Sequence, residues 1–134
     1  MKIKETTMHR EYFIKNLEGI MYFKDIPLFE FQIVNRELVS YRDLSNHEYW
    51  PCEPRMNGMS YVSLNNFFQR RVVPDYAQDI REYLDAIGLP YYDFEELVKR
   101  NNGGNHLDFF WVRFPDIGAR CWNDILTQNY PIYS

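Results

Sequence analysis

Four side chains in this sequence carry the chemistry that metal binding and covalent catalysis draw on: His47, Cys52, His106 and Cys121. Two imidazoles and two thiolates make a complete tetrahedral set for a structural zinc ion, and such a site would pin the stretch around 47–52 to the chain around 106–121. The spacing lacks the paired short knuckle of common zinc modules, so the set is a candidate and not a signature. The same residues admit nucleophilic chemistry, with Cys121 as thiolate, His106 as its base and Asp108 as orienter. That arrangement needs an exposed thiol of depressed pKa. Against both stands the plain alternative of two buried free cysteines and surface histidines.

Carboxylates are the other abundant group. Between positions 75 and 96, Asp75, Asp79, Glu82, Asp85, Asp93, Glu95 and Glu96 face only Arg81. No sequence feature sets two of them across a cleft, as general acid–base work requires. As a group they matter more, because Asp75, Asp79, Glu82 and Asp85 recur at three- and four-residue steps and would form one acidic helix face. Such a face suits a basic nucleic-acid channel in a partner, or simply water.

The stretch "KRNNGGNHLDFFWVRFP", residues 99–115, places two glycines after a basic pair. A phosphate loop follows a strand and puts its glycines at the start of a helix, whereas this order is reversed. Gly103 or Gly104 is therefore expected in the left-handed conformation that ends a helix.

The elements that must position these residues are legible in outline. From Gly19 to about Val39, "IMYFKD", "IPLFEFQIV" and "ELVSYRDL" predict a hairpin or meander with imperfect alternation. Residues 46–60 hold Pro51, Pro54 and Gly58 and predict a long connection, whose Tyr49 and Trp50 are candidate partner contacts. Three helices follow. Ser63 caps the first, which closes on Arg70 and Arg71; Asp75, with Gln78, caps "DYAQDIREYLDAIG", whose stripe includes Tyr76; and Asp93 with Glu96 caps a third that closes on Lys99 and Arg100. "HLDFFWVRF" then predicts a late strand returning to the sheet. "DIGARCWNDI" reads equally as strand or short helix, and "QNYPIYS" as a tail. The expected fold is a single α+β domain over residues 1–134, with an N-terminal antiparallel sheet and a three-helix middle.

Composition sets bounds on function. A chain of 134 residues with 46% hydrophobic content can bury one core unaided. Two widely spaced cysteines and the lack of a leader-like N-terminus point to a cytoplasmic protein with reduced thiols. Apolar runs are broken by Lys24, Asp25 and Glu30, so no membrane span is expected. A net charge of −4 disfavours direct nucleic-acid binding. Aromatic residues make up 18% of the chain, which supplies core mass and amphipathic surface for protein contacts. Nothing in the sequence sets an oligomeric state.

The order of "KDIPLFEFQI", "LNNFFQRRVVPDYAQDIREYLDAIGL", "FFWVRFP" and "CWNDI", over about Tyr22 to Ile125, resembles small HipA-like proteins of phages and mobile elements in low-GC Gram-positive bacteria. These are similar to the N-terminal part of that kinase without its catalytic domain, and no kinase signature is present here. In size and acidity the chain also resembles anti-CRISPR inhibitors of RNA-guided nucleases. The resemblance implies a non-enzymatic interaction protein that binds such a nuclease and blocks nucleic-acid loading. A regulatory or toxin–antitoxin partner of HipA type and a Cys/His-dependent enzyme are the alternatives. No cofactor is expected beyond the candidate zinc.

Overall fold

The computed structural model describes residues 12–105 and 107–127. His106 and the stretch 128–134, expected as a tail, lie outside the described residues. Three consecutive strands, β1 (Leu17–Phe23), β2 (Ile26–Val34) and β3 (Glu37–Asp43), form the expected meander, and the late strand β4 (Phe110–Arg113) returns to it. The sheet is antiparallel throughout, in the order β3-β2-β1-β4. Met21 is the centre of the register, opposite Phe29 on β2 and Val112 on β4.

Phe29, Phe31 and Ile33 alternate toward the core, but Leu28 is buried beside Phe29 and breaks the pattern. The reason is a bulge: Met21 pairs with Phe29 and Tyr22 with Pro27, leaving Leu28 as the extra residue. Pro27 has no N–H to give the ladder, so the irregularity falls where pairing is already weakened.

The expected connection over 46–60 contains a helix, α1 (Cys52–Asn57), which adds a fourth to the three expected in the middle. Pro54 lies in its first turn, where the N–H that proline lacks has no intrahelical partner to lose. Helix α2 (Tyr61–Gln69) starts earlier than expected: Ser60 is its cap and Ser63 the third helical residue, each side chain bonding the other's backbone N–H at 3.1 Å. Arg71 lies beyond its end and serves another purpose, described below.

The second helix differs most. It begins at Ile80 as α3 (Ile80–Ala86), because Asp79 is left-handed (φ 63) and a helix cannot run through that conformation. Residues 74–80 are instead single turns, with Ala77 N–H bonded to the Pro74 carbonyl and Ile80 N–H to that of Ala77. Asp75 is therefore not a cap, Gln78 completes no capping box, and Tyr76 is exposed. Helix α4 (Phe94–Arg100) has half of the expected capping box: Asp93 accepts from the Glu96 N–H at 3.1 Å, while the Glu96 side chain turns to Arg100. The ambiguous segment resolves as α5 (Trp122–Thr127).

Leu64, Phe67 and Phe68 of α2 and Phe94 and Val98 of α4 cover one face of the sheet, over Met21, Phe29, Phe31 and Val112. Trp111, next to Val112 and so facing the opposite side, is buried by Ala119 and Ile125 and stacks on Tyr22. Val73, Leu84, Leu89 and Leu97 form a smaller cluster joining α3 to α4.

Helix α4 ends in a six-to-one and five-to-two closure: Gly103 N–H bonds the Val98 carbonyl and Asn102 N–H that of Lys99. Both Asn102 (φ 52) and Gly103 (φ 60) are left-handed, so asparagine supplies the terminating residue and the glycine extends it. A Cβ on Gly103 would also meet Val112 Cγ2 at 2.7 Å. Gly103→Ala is expected to cost about 2–3 kcal/mol in a denaturant melt, adding steric conflict to backbone strain. A loss under about 0.5 kcal/mol would show that the turn does not need glycine.

Candidate functional site

Of the candidate metal ligands, the three that are described, His47, Cys52 and Cys121, do not converge. His47 is exposed and turned to Asp43, Nδ1 to Oδ2 at 3.0 Å. Cys52 opens α1 and Cys121 precedes α5, both exposed and not buried as the plain reading has them. Among the described residues no three His, Cys, Asp or Glu side chains converge to hold a metal ion. Asp108, assigned above to orient a catalytic histidine, is committed elsewhere: both its oxygens are held by Arg71, at 2.6 and 2.8 Å. Protein purified without added metal is expected to contain well below one zinc per chain, with a melting temperature indifferent to chelator. Stoichiometric zinc whose removal destabilises the fold would overturn this and place a ligand at His106.

The acidic face is smaller than the sequence implies. Asp75 accepts the Tyr12 hydroxyl at 2.6 Å and lies on a turn before α3. Asp85 is paired with Arg81 one turn earlier, at 2.9 Å. Asp79 and Glu82 remain exposed at the start of α3, without ion-pair partners among the described residues. Glu95 and Glu96 are paired with Lys99 and Arg100.

A more distinctive surface stands at the end of the sheet formed by the β1–β2 turn. Tyr49 lies over Phe23, centroids 5.1 Å apart and planes within 13°. Phe109 meets Phe23 edge-on at 5.8 Å, and Trp122 meets Phe109 edge-on at 5.8 Å. Lys24 Nζ sits 4.6 Å from the Phe109 centroid. Tyr49 is 53% and Phe109 47% exposed, so two rings of a continuous four-ring array face water. Leu126, also exposed, is one helical turn from Trp122 and extends the apolar surface. The Asp25 carboxylate accepts the Trp122 N–H at 2.9 Å and ties α5 to the β1–β2 turn.

The loop that brings Tyr49 there is strained. Asn46 (φ 55), His47 (φ 68) and Tyr49 (φ 63) are all left-handed, a conformation that costs a bulky side chain about 1 kcal/mol or more. Asp43 holds this loop, accepting the N–H groups of Ser45 and His47 at 3.0 and 3.3 Å. Burial pushes the Asp43 carboxyl up, but those donors and the His47 charge outweigh it and leave it below the usual range. Trp50, paired above with Tyr49 as a contact residue, is 3% exposed and packs on Phe29, so it anchors the loop from within.

Phe23, Phe109 and Trp122 were not singled out from the sequence. No local pattern marks them: Phe109 lies just before the strand and stays half exposed, while Phe110 packs on both Phe67 and Phe23.

The chain matches no family model, no curated protein and no solved structure.

Proposed function

We propose that this is a non-enzymatic interaction protein, and that its partner is an RNA-guided nuclease whose nucleic-acid loading it blocks. The observation that carries the protein-binding part is the aromatic platform, where a loop in strained conformation holds Tyr49 half in water against Phe23. Strain of this kind persists only where the surrounding structure enforces it, and it concentrates at binding sites. Clustered aromatic rings with rigid backing are what interface hot spots are made of. The choice of partner is supported by the net charge of −4 and by exposed Asp79 and Glu82, which suit a basic nucleic-acid channel. A cleavage assay over a panel of purified RNA-guided nucleases, with and without the protein, tests it. Inhibition of one effector class is expected. A panel that shows no inhibition and no binding would sink the nuclease reading.

A further inference from the structure

A groove of about 300 Å³ lies where residue 12 passes the end of α2, the 72–76 turn and the start of α4. Its lining includes three tyrosines, Tyr12, Tyr76 and Tyr92, and one carboxylate, Asp75. The Tyr12 and Tyr92 rings are 4.8 Å apart and tilted by 42°. Two of the tyrosines are fixed from behind. Asn65 and Gln69 both donate to the Tyr12 carbonyl, at 3.0 and 2.7 Å, and the Tyr92 hydroxyl donates to the Val73 carbonyl at 2.6 Å.

Among the described residues, the one carboxylate of this groove has no cationic partner. Asp75 accepts the Tyr12 hydroxyl through Oδ2 and forms no ion pair with a lysine or arginine among the described residues. Arg70 also lines the groove, but its guanidinium is paired with Glu53 of α1 at 3.3 Å. Burial first, and the Asp75 charge next, push the Tyr92 hydroxyl pKa up. The volume is at the small end for a ligand site, suited to one long side chain and not to a nucleotide.

We infer that this groove takes the guanidinium of an arginine side chain from a partner protein. Tyrosine faces attract a cation, and the planar, weakly hydrated guanidinium stacks on them better than an ammonium does. Asp75 offers the charge-assisted acceptor that would fix its orientation. The inference rests on the protein-binding reading above, but not on the partner's being a nuclease.

The test uses the protein alone and the peptide acetyl-Gly-Arg-Gly-amide, followed through tyrosine ring signals by NMR. The signals of Tyr12, Tyr76 and Tyr92 are expected to shift saturably. The citrulline peptide, neutral and nearly isosteric, should bind at least about tenfold more weakly, and Asp75→Asn should weaken arginine binding by a similar factor. Because Asp75→Asn also alters the bond to Tyr12, Tyr76→Ala provides a second variant, at an exposed ring; it should weaken binding about fivefold. Equal response to arginine and citrulline, equally tight binding of a lysine peptide, or indifference to both substitutions would overturn the assignment. A negative nuclease panel would leave this result standing, and failure here would leave the panel result standing.

Discussion

Arg71→Met is expected to destabilise the protein by about 3 kcal/mol, the lower end of the cost of breaking a buried ion pair. Arg71 is 6% exposed, and its guanidinium reaches four acceptors: both oxygens of Asp108 and the carbonyls of Gly103 (2.7 Å) and Phe110 (3.0 Å). Its Cζ also lies 4.4 Å from the centre of the Phe67 ring. One side chain thus joins the end of α2, the turn after α4 and the start of β4. Methionine fills much of the volume but removes the guanidinium donors from those oxygens, leaving Asp108 Oδ1 only the Phe110 N–H. The estimate stays at the lower end because the Asp108 side chain is 36% exposed and can recover water. For a chain of this size the loss corresponds to a melting temperature lower by roughly 10 °C. Arg71→Lys should recover only part of it, since one ammonium cannot serve acceptors spread around a planar fork. A loss below about 1 kcal/mol for Arg71→Met would show that the turn is held by its backbone closure alone.

That hub marks the boundary of what local reading can find. Arg71 looked like a helix-terminal cation because its neighbours in the chain fit that role, while its partners lie 32 to 39 residues away. Asp75 looked like a cap for the same reason, and its carboxylate is taken by a tyrosine 63 residues earlier. Where the deciding interaction is local, the sequence was sufficient. Asp93 caps α4 through a residue three positions on, and Phe29, Phe31 and Ile33 alternate because strand geometry imposes it. The meander and returning strand followed from such local patterns. The late strand proved shorter than its apolar run because Asp108 bonds the Phe110 N–H at 3.1 Å and turns the chain just before β4. The candidate site was half legible: residue type could not tell Tyr49 from Trp50, since the difference lies in a left-handed backbone that turns one ring outward while the other packs on Phe29.

The same backbone permits a substitution that separates binding from stability. Tyr49→Gly removes the ring from the platform and also removes the Cβ that makes φ 63 costly. Loss of the stack on Phe23 costs about 1 kcal/mol, and relief of strain returns an amount of the same order. The melting temperature should therefore move by only a few degrees. Binding should respond very differently. If Tyr49 is an anchor of the interface, its removal should weaken inhibition by about 30-fold or more, the equivalent of at least 2 kcal/mol, and mainly through faster dissociation. Phe109→Ala should act in the same direction, because it removes the second exposed ring of the array. Reversing Asp79 and Glu82 to lysine tests the other part of the reading. Exposed charges steer encounter and are screened over about 8 Å at physiological ionic strength, so the double reversal should chiefly slow association and abolish its salt dependence. Surface binding kinetics at two salt concentrations read both effects at once. A Tyr49→Gly protein that keeps its fold and full affinity would remove the platform from the interface, and if the charge reversal alone destroyed inhibition, the contact would belong to the start of α3.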